Sequence, residues 1–168
     1  MSRLQSFIRR LGAQVAVLDR ACELIAGIPG PVLEIGLGNG RTYDHLRSRL
    51  KGRDIFAFDR ALAAHPACVP DGRHLILGDF ADTLPAMRGR LVRPAALAHC
   101  DIGSGDEEQT ARLAAWLGPA LMPLLAPAAV VAADQPLSAP GLKALPLPPG
   151  VAAGRYFLYS ASSTTTGT

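Results

Sequence analysis

Aromatic side chains are scarce: five Phe, three Tyr and one Trp make up 5% of the 168 residues. Charge is thin as well, at 18%, against roughly a quarter in an ordinary globular chain. Lysine is nearly missing, with only Lys51 and Lys143, so the net charge of +3 and the pI near 9.0 rest on arginines set in ones and twos. The local clusters are Arg9-Arg10 and Arg88/Arg90/Arg93. They are too sparse for the dense stripe that tracks a phosphate backbone, so nucleic acid is not expected as a partner. The three cysteines, Cys22, Cys68 and Cys100, are odd in number and far apart. They make neither a full disulfide set nor a metal-ligand spacing, which points to small buried side chains in a reducing, cytoplasmic setting. No long hydrophobic run occurs. Leu121 to Ala133 is 13 residues with two prolines, short of the roughly 20 that cross a bilayer, so no membrane partner is expected. Internal repeats are missing too.

What is present is apolar bulk. Hydrophobic residues make up 49%, which excludes disorder for most of the chain, and the length suits one domain. With 17 Gly and 14 Pro beside abundant Ala, the core must be built from small side chains packed closely. The first 25 residues are basic, but Leu4, Phe7, Ile8, Leu11, Val15, Leu18, Cys22 and Ile25 recur every three or four positions. That spacing predicts a packed amphipathic helix rather than a leader peptide, ended by Gly27-Ile28-Pro29-Gly30.

After residue 30 the period changes. Short apolar runs at 31–36, 54–59, 74–79, 95–101 and 127–134 read as strands. Helical stretches are expected at 42–50, 61–67, from a cap at Asp82 to about Leu91, and from Glu107 to Leu117 and beyond. Alternation of this kind indicates βαβ units with a parallel sheet covered on both faces. The end differs: 144–150 and 155–160 have no helix between them and read as an antiparallel hairpin joined by a Pro/Gly turn. The expected fold is therefore α/β, doubly wound, with a mostly parallel seven-stranded sheet ending in an antiparallel hairpin. One domain is expected over 1–161, with the helix in 1–30, the core in 31–160 and a polar tail over 162–168.

The chemistry concentrates in Val32-Leu-Glu-Ile-Gly-Leu-Gly-Asn-Gly-Arg41. Glycines at 36, 38 and 40 permit a sharp strand-to-helix turn and close approach of a ligand to main-chain N–H groups. The dinucleotide fingerprint G-x-G-x-x-G would need glycine where Arg41 stands. Glu34, two residues before the first glycine, disfavours a pyrophosphate and suits a cationic ligand. Asp59 ends the second strand, where an acid in doubly wound folds binds ribose hydroxyls. Asp79-Phe80, Asp101 and Asp134 follow at the ends of the next three strands.

Taken together, Glu34-x-Gly36-x-Gly38-x-Gly40, Asp59, Gly78-Asp79-Phe80 and Asp101 resemble the successive motifs of class I S-adenosylmethionine-dependent methyltransferases. The resemblance spans about residues 31–160 and includes the terminal hairpin of that Rossmann-like fold. It implies that Glu34, Gly36, Leu37, Gly38, Asn39 and Gly40 shape a loop around the methionine moiety, with Tyr43 close by. It also implies that Asp59 and Arg60 hold the ribose side, that Gly78, Asp79 and Phe80 flank the adenine, that Asp101 too contacts the cofactor, and that S-adenosyl-L-methionine is that cofactor. Methyl transfer from a sulfonium needs positioning, a dry pocket and a deprotonated acceptor. Asp101 is the preferred base over His99 and Asp134, because it ends a strand at the ligand crevice whereas His99 lies inside one. No metal is expected, although Asp101 and Asp134-Gln135 loosely resemble the ligand positions of Mg-dependent O-methyltransferases. No Asn-Pro-Pro-Tyr type motif follows the fourth strand. With only a helix and short loops left to cover it, the acceptor is expected to be a small molecule, and the apolar N-terminal helix suggests a homodimer. Two other readings stand beside this one: an NAD(P)-dependent oxidoreductase, and a cofactor-binding but catalytically silent partner module.

Overall fold

The computed structural model describes residues 2–162, so the expected polar tail lies outside it apart from Ser162. Helix α1 (Arg3–Leu24) starts from a capping box in which Ser2 and Gln5 satisfy each other's main-chain N–H groups. There follow β1 (Val32–Ile35), α2 (Arg41–Arg49), β2 (Ile55–Asp59), β3 (Leu75–Leu77), α3 (Phe80–Met87), β4 (Ala95–Cys100), α4 (Glu107–Leu121), β5 (Leu125–Ala133), β6 (Leu142–Ala144) and β7 (Phe157–Ala161). The seven strands form one sheet in the order β3-β2-β1-β4-β5-β7-β6. The first five run parallel; β7 is antiparallel to both β5 and β6.

Two apolar layers sandwich this sheet. On one face α3 and α4 press Leu84, Met87, Leu117 and Leu121 onto Leu33, Ile35 and Phe58. On the other, α1 and α2 bring Val17, Leu18, Ala21 and Leu46 onto Val32, Leu97, Val130 and Leu158. Every residue of β1 and β4 is buried, as a parallel strand covered on both sides requires. Among the described residues, no helix is long and apolar enough to cross a membrane.

The fold departs from the sequence-based expectation in five main places. Only the second half of α1 packs; its buried stripe begins at Ala13, and Leu4 and Ile8 are 67% and 59% exposed. The stretch 61–67 is not helical, and only the 3-10 turn Pro66–Cys68 forms there. Helix α3 starts earlier than expected, because Asp79 rather than Asp82 is its cap, its carboxylate accepting from Ala81 N–H at 2.9 Å. It also ends earlier, at Met87, which leaves 88–94 as a loop. Finally, the edge strand is Leu142–Ala144 rather than 144–150. Leu145 N–H still bonds the Leu158 carbonyl, but Pro146, Pro148 and Pro149 have no N–H to continue the ladder.

Two helical glycines separate propensity from packing. A β-carbon at Gly118 in α4 would lie 2.4 Å from the Ser138 carbonyl oxygen, whereas one at Gly12 in α1 would meet nothing within 4 Å. Gly12→Ala should therefore stabilise the chain by about 0.5–1 kcal/mol through helix propensity. Gly118→Ala should destabilise it by about 1–3 kcal/mol despite the same propensity gain. Urea unfolding of the two variants measures both signs.

Candidate functional site

The register of the parallel strands builds the site. Ile35 is level with Phe58 on one side and Cys100 on the other, and Cys100 is level with Ala133. The residues that follow are Gly36, Asp59, Asp101 and Asp134, so they stand abreast along the carboxyl edge. The main-chain ladder runs one step further there: Gly36 N–H bonds Phe58 O, Asp101 N–H bonds Ile35 O, and Asp134 N–H bonds Cys100 O. This is the edge at which open α/β sheets bind ligands.

From this edge the chain turns through the glycine segment into α2. Gly36 has φ +91°, and a β-carbon there would lie 2.2 Å from the Asp101 carbonyl oxygen. Gly38, at φ +50°, has nothing within 4 Å of where its β-carbon would be. Its N–H donates to Asp59 Oδ2 at 2.8 Å, and Arg60 N–H donates to Asp59 Oδ1 at 2.7 Å. Asp59 thus pins the glycine loop to the end of β2.

Two clefts meet over this loop, sharing Gly36, Gly38, Asp101 and Gly103. One, about 290 Å³, runs toward Asp59, Arg60 and Phe80. The other, about 250 Å³, runs under α1 and adds Leu37 and Asn39 to Arg10, Gln14 and Arg41. Of the residues singled out from the sequence, Glu34, Gly40, Tyr43, Gly78, Asp79, His99 and Asp134 do not line these clefts. Gly40 packs against Cys68. Tyr43 lies beneath the Arg47 guanidinium, 5.6 Å from it. The carboxylate of Asp79 is occupied by the α3 cap and by Arg60 at 3.4 Å. Asp134 is committed as well, accepting from Ile102 N–H at 3.0 Å and Gly103 N–H at 2.8 Å.

Asp101 differs from these acids. Its Oδ2 accepts from Gln14 Nε2 at 3.0 Å, and among the described residues nothing donates to its Oδ1. Burial, reinforced by the Asp134 carboxylate, pushes its carboxyl above the usual range. Gln14 is the partner that sequence reasoning missed. The available signal was a polar residue three and four positions before Val17 and Leu18, inside the buried stripe of α1. Among the described residues, no three His, Cys, Asp or Glu side chains gather as a metal site.

Glu34 has another place altogether. Side chains alternate along β1, so Leu33 and Ile35 face α3 and α4 while Glu34 faces the α1 side. It is fully buried, with Oε1 accepting from the Thr42 hydroxyl at the start of α2 and Oε2 bonded to His99 Nδ1 at 2.7 Å. His99 Nε2 in turn meets the Tyr156 hydroxyl. The expected ligand-facing acid instead braces the loop from below. Burial opposes the charged form of His99, but the charge and hydrogen bond of Glu34 outweigh it and hold the imidazole above its ordinary value of 6.5.

Comparison with known proteins identifies the family and the fold. Residues 1–161 match the family described as S-adenosyl-L-methionine methyltransferase. The crystal structure of an S-adenosyl-L-methionine methyl transferase from Silicibacter pomeroyi DSS-3 is 44% identical, with a TM-score of 0.90 over 96% of this chain and 99% of that one. Similarity in fold alone extends to CalS11, a TDP-rhamnose 3′-O-methyltransferase of calicheamicin biosynthesis (19% identity, TM-score 0.56, 95% of this chain and 81% of that one). It extends also to the plantazolicin methyltransferase BpumL in complex with SAH (18% identity, TM-score 0.51, 76% of this chain and 46% of that one). No curated relative matches the chain.

The buried pair has a pH signature. Because His99 titrates higher in the folded chain, its contribution to stability is complete below pH 6.5 and is lost as pH rises through the raised folded value. Glu34→Gln keeps the hydrogen-bonding shape but not the charge. It should cost about 1–3 kcal/mol at low pH, and its stability should fall less with rising pH than that of the wild type. Parallel profiles in urea unfolding at pH 6 and above would rule out this coupling.

Proposed function

The chain belongs to the S-adenosyl-L-methionine methyltransferase family, and from that premise we propose which of its residues serve the reaction and what it acts on. The protein is a methyltransferase that uses S-adenosylmethionine, with residues 1–161 read as one methyltransferase domain. The observation that carries the site assignment is the row of Gly36, Asp59 and Asp101 at the carboxyl edge, with both clefts opening over it.

The residues present fit the cofactor. Asp59 keeps a free lone pair on each oxygen after its two main-chain bonds, enough to accept from ribose hydroxyls. Phe80 and Arg60 border the same cleft, on the adenine side. Gly38 leaves open the space a side chain would fill. Arg10 and Arg41 in the smaller cleft complement a carboxylate such as that of the methionine end. When bound, the cofactor supplies a methyl group made electrophilic by its sulfonium.

The chain's own part is positioning and proton removal. Asp101 lies where both clefts meet, held by Gln14, with Oδ1 available to take the acceptor's proton. Its raised titration makes it a better proton acceptor than an ordinary carboxylate. Glu34, His99 and Thr42 are positioning residues that hold the loop. With only α1 and short loops to cover the crevice, a small-molecule acceptor is favoured. The exposed Leu4, Phe7 and Ile8 of α1 support a homodimer through that helix, which light scattering on the intact chain tests. The three free thiols suit a cytoplasmic setting.

One titration series tests the assignment. S-adenosylhomocysteine should bind the wild type, and Asp59→Ala should weaken it by about tenfold or more; a wild type that shows no binding would refute the reading. Affinity for S-adenosylmethionine, which carries the positive sulfonium, should rise with pH as Asp101 ionises above the ordinary carboxyl range. S-adenosylhomocysteine, whose sulfur is neutral, should respond less, and Asp101→Asn should remove the difference.

A further inference from the structure

At the opposite edge of the sheet, where β1, β2 and β4 begin, lies a third cleft of about 600 Å³. It is lined by residues 29–31, 51–54, 56 and 90–93. The sequence suggests positive charge scattered over the whole surface; the fold gathers part of it here. Lys51, Arg53, Arg90 and Arg93 face a single carboxylate, Asp54, an excess of three that equals the net charge of the entire chain. Asp54 is already bonded to His74 Nε2 at 3.1 Å. The Arg53 guanidinium is fixed by the carbonyls of Ile25, Ile28 and Gly30 at 3.3, 2.9 and 2.7 Å. Lys51, Arg90 and Arg93 belong to none of the ion pairs among the described residues.

Bringing four cations to one concavity raises a positive potential that Asp54, the one carboxylate in the lining, offsets only in part. Arginine forks match phosphate oxygens in pairs, and a cleft of this volume accommodates a small molecule. Apolar surface stands beside the charge. Phe56 is half-buried in the lining, and Val92, between Arg90 and Arg93, is 99% exposed. Strand β2, which separates this cleft from Asp59, runs Ile55–Asp59, so the two edges are roughly 15 Å apart.

We propose that this cleft is a second ligand site, for a phosphorylated small molecule whose phosphate meets Lys51, Arg90 and Arg93 and whose apolar part rests on Phe56 and Val92. The site is separate from the cofactor crevice and independent of the residue roles assigned there. Its occupant approaches the amino edge of the sheet, and the loop 88–94 that α3 leaves behind supplies Arg90, Val92 and Arg93.

Calorimetric titration of the full chain with inorganic pyrophosphate and with phenyl phosphate tests it. Both should bind saturably, and more weakly as salt screens the cations. The double variant Arg90→Gln/Arg93→Gln should weaken both by about tenfold or more, with thermal unfolding and S-adenosylhomocysteine binding unchanged. Val92→Ser should weaken phenyl phosphate but not pyrophosphate. The proposal is overturned if neither probe saturates, if the double variant binds as the wild type does, or if S-adenosylhomocysteine displaces the probes. A single-stranded RNA that binds more tightly than pyrophosphate, with affinity climbing with length, would also overturn it and make this face a nucleic-acid surface.

Discussion

A carboxylate and an imidazole shut away from water lie at the centre of the molecule, and the rest of the fold is arranged so that neither is left alone. Taking charges out of water is costly, and the cost is offset only when each group meets a partner. Glu34 meets Thr42 and His99, and His99 meets Tyr156. Those four residues belong to α2, β1, β4 and the approach to β7, so the chain of bonds crosses the sheet beneath α1. A one-residue slip of β4 against β1 would turn His99 to the other face and strand Glu34 as an unpaired buried charge. The polar chain therefore enforces the register that the apolar residues alone hold less strictly.

That register in turn creates the crevice. Parallel strands aligned near their carboxyl ends, at Ile35, Phe58, Cys100 and Ala133, deliver their next residues to one edge. The acids there have divided their labour. Asp79 caps a helix and Asp134 shapes the loop after β4, each through main-chain N–H groups. Asp59 ties down the glycine loop with lone pairs to spare, and Asp101 keeps one oxygen free. A carboxylate spent on the backbone positions other groups; one left open can act on a ligand. The opposite edge carries cations on the loops that precede β2 and β4, so the strands end in acids but are entered from basic loops.

Much of this was legible in the order of residues. The strands, the glycine turn and the acids that follow each strand could be placed because each is a local pattern of apolar runs, breakers and caps. The alternation along β1 even shows that Glu34 faces the same side as Val32, away from Leu33 and Ile35. Errors arose where a local pattern met a competitor. Prolines cut the edge strand short after Ala144, and the Asp79 cap won over Asp82 because it lies at the strand end where α3 begins.

The sequence by itself determined the element types and the positions of the glycines and acids, because helix period, strand alternation and φ-permissive turns depend on neighbours a few residues apart. Only the tertiary structure decided what each acid does. Glu34 finds His99 at a separation of 65 residues, and Asp101 finds Gln14 at 87. Likewise Lys51 and Arg53 share a cleft with Arg90 and Arg93 only because β1, β2 and β4 start side by side. Partners that far apart are chosen by sheet order and register, which no local spacing encodes.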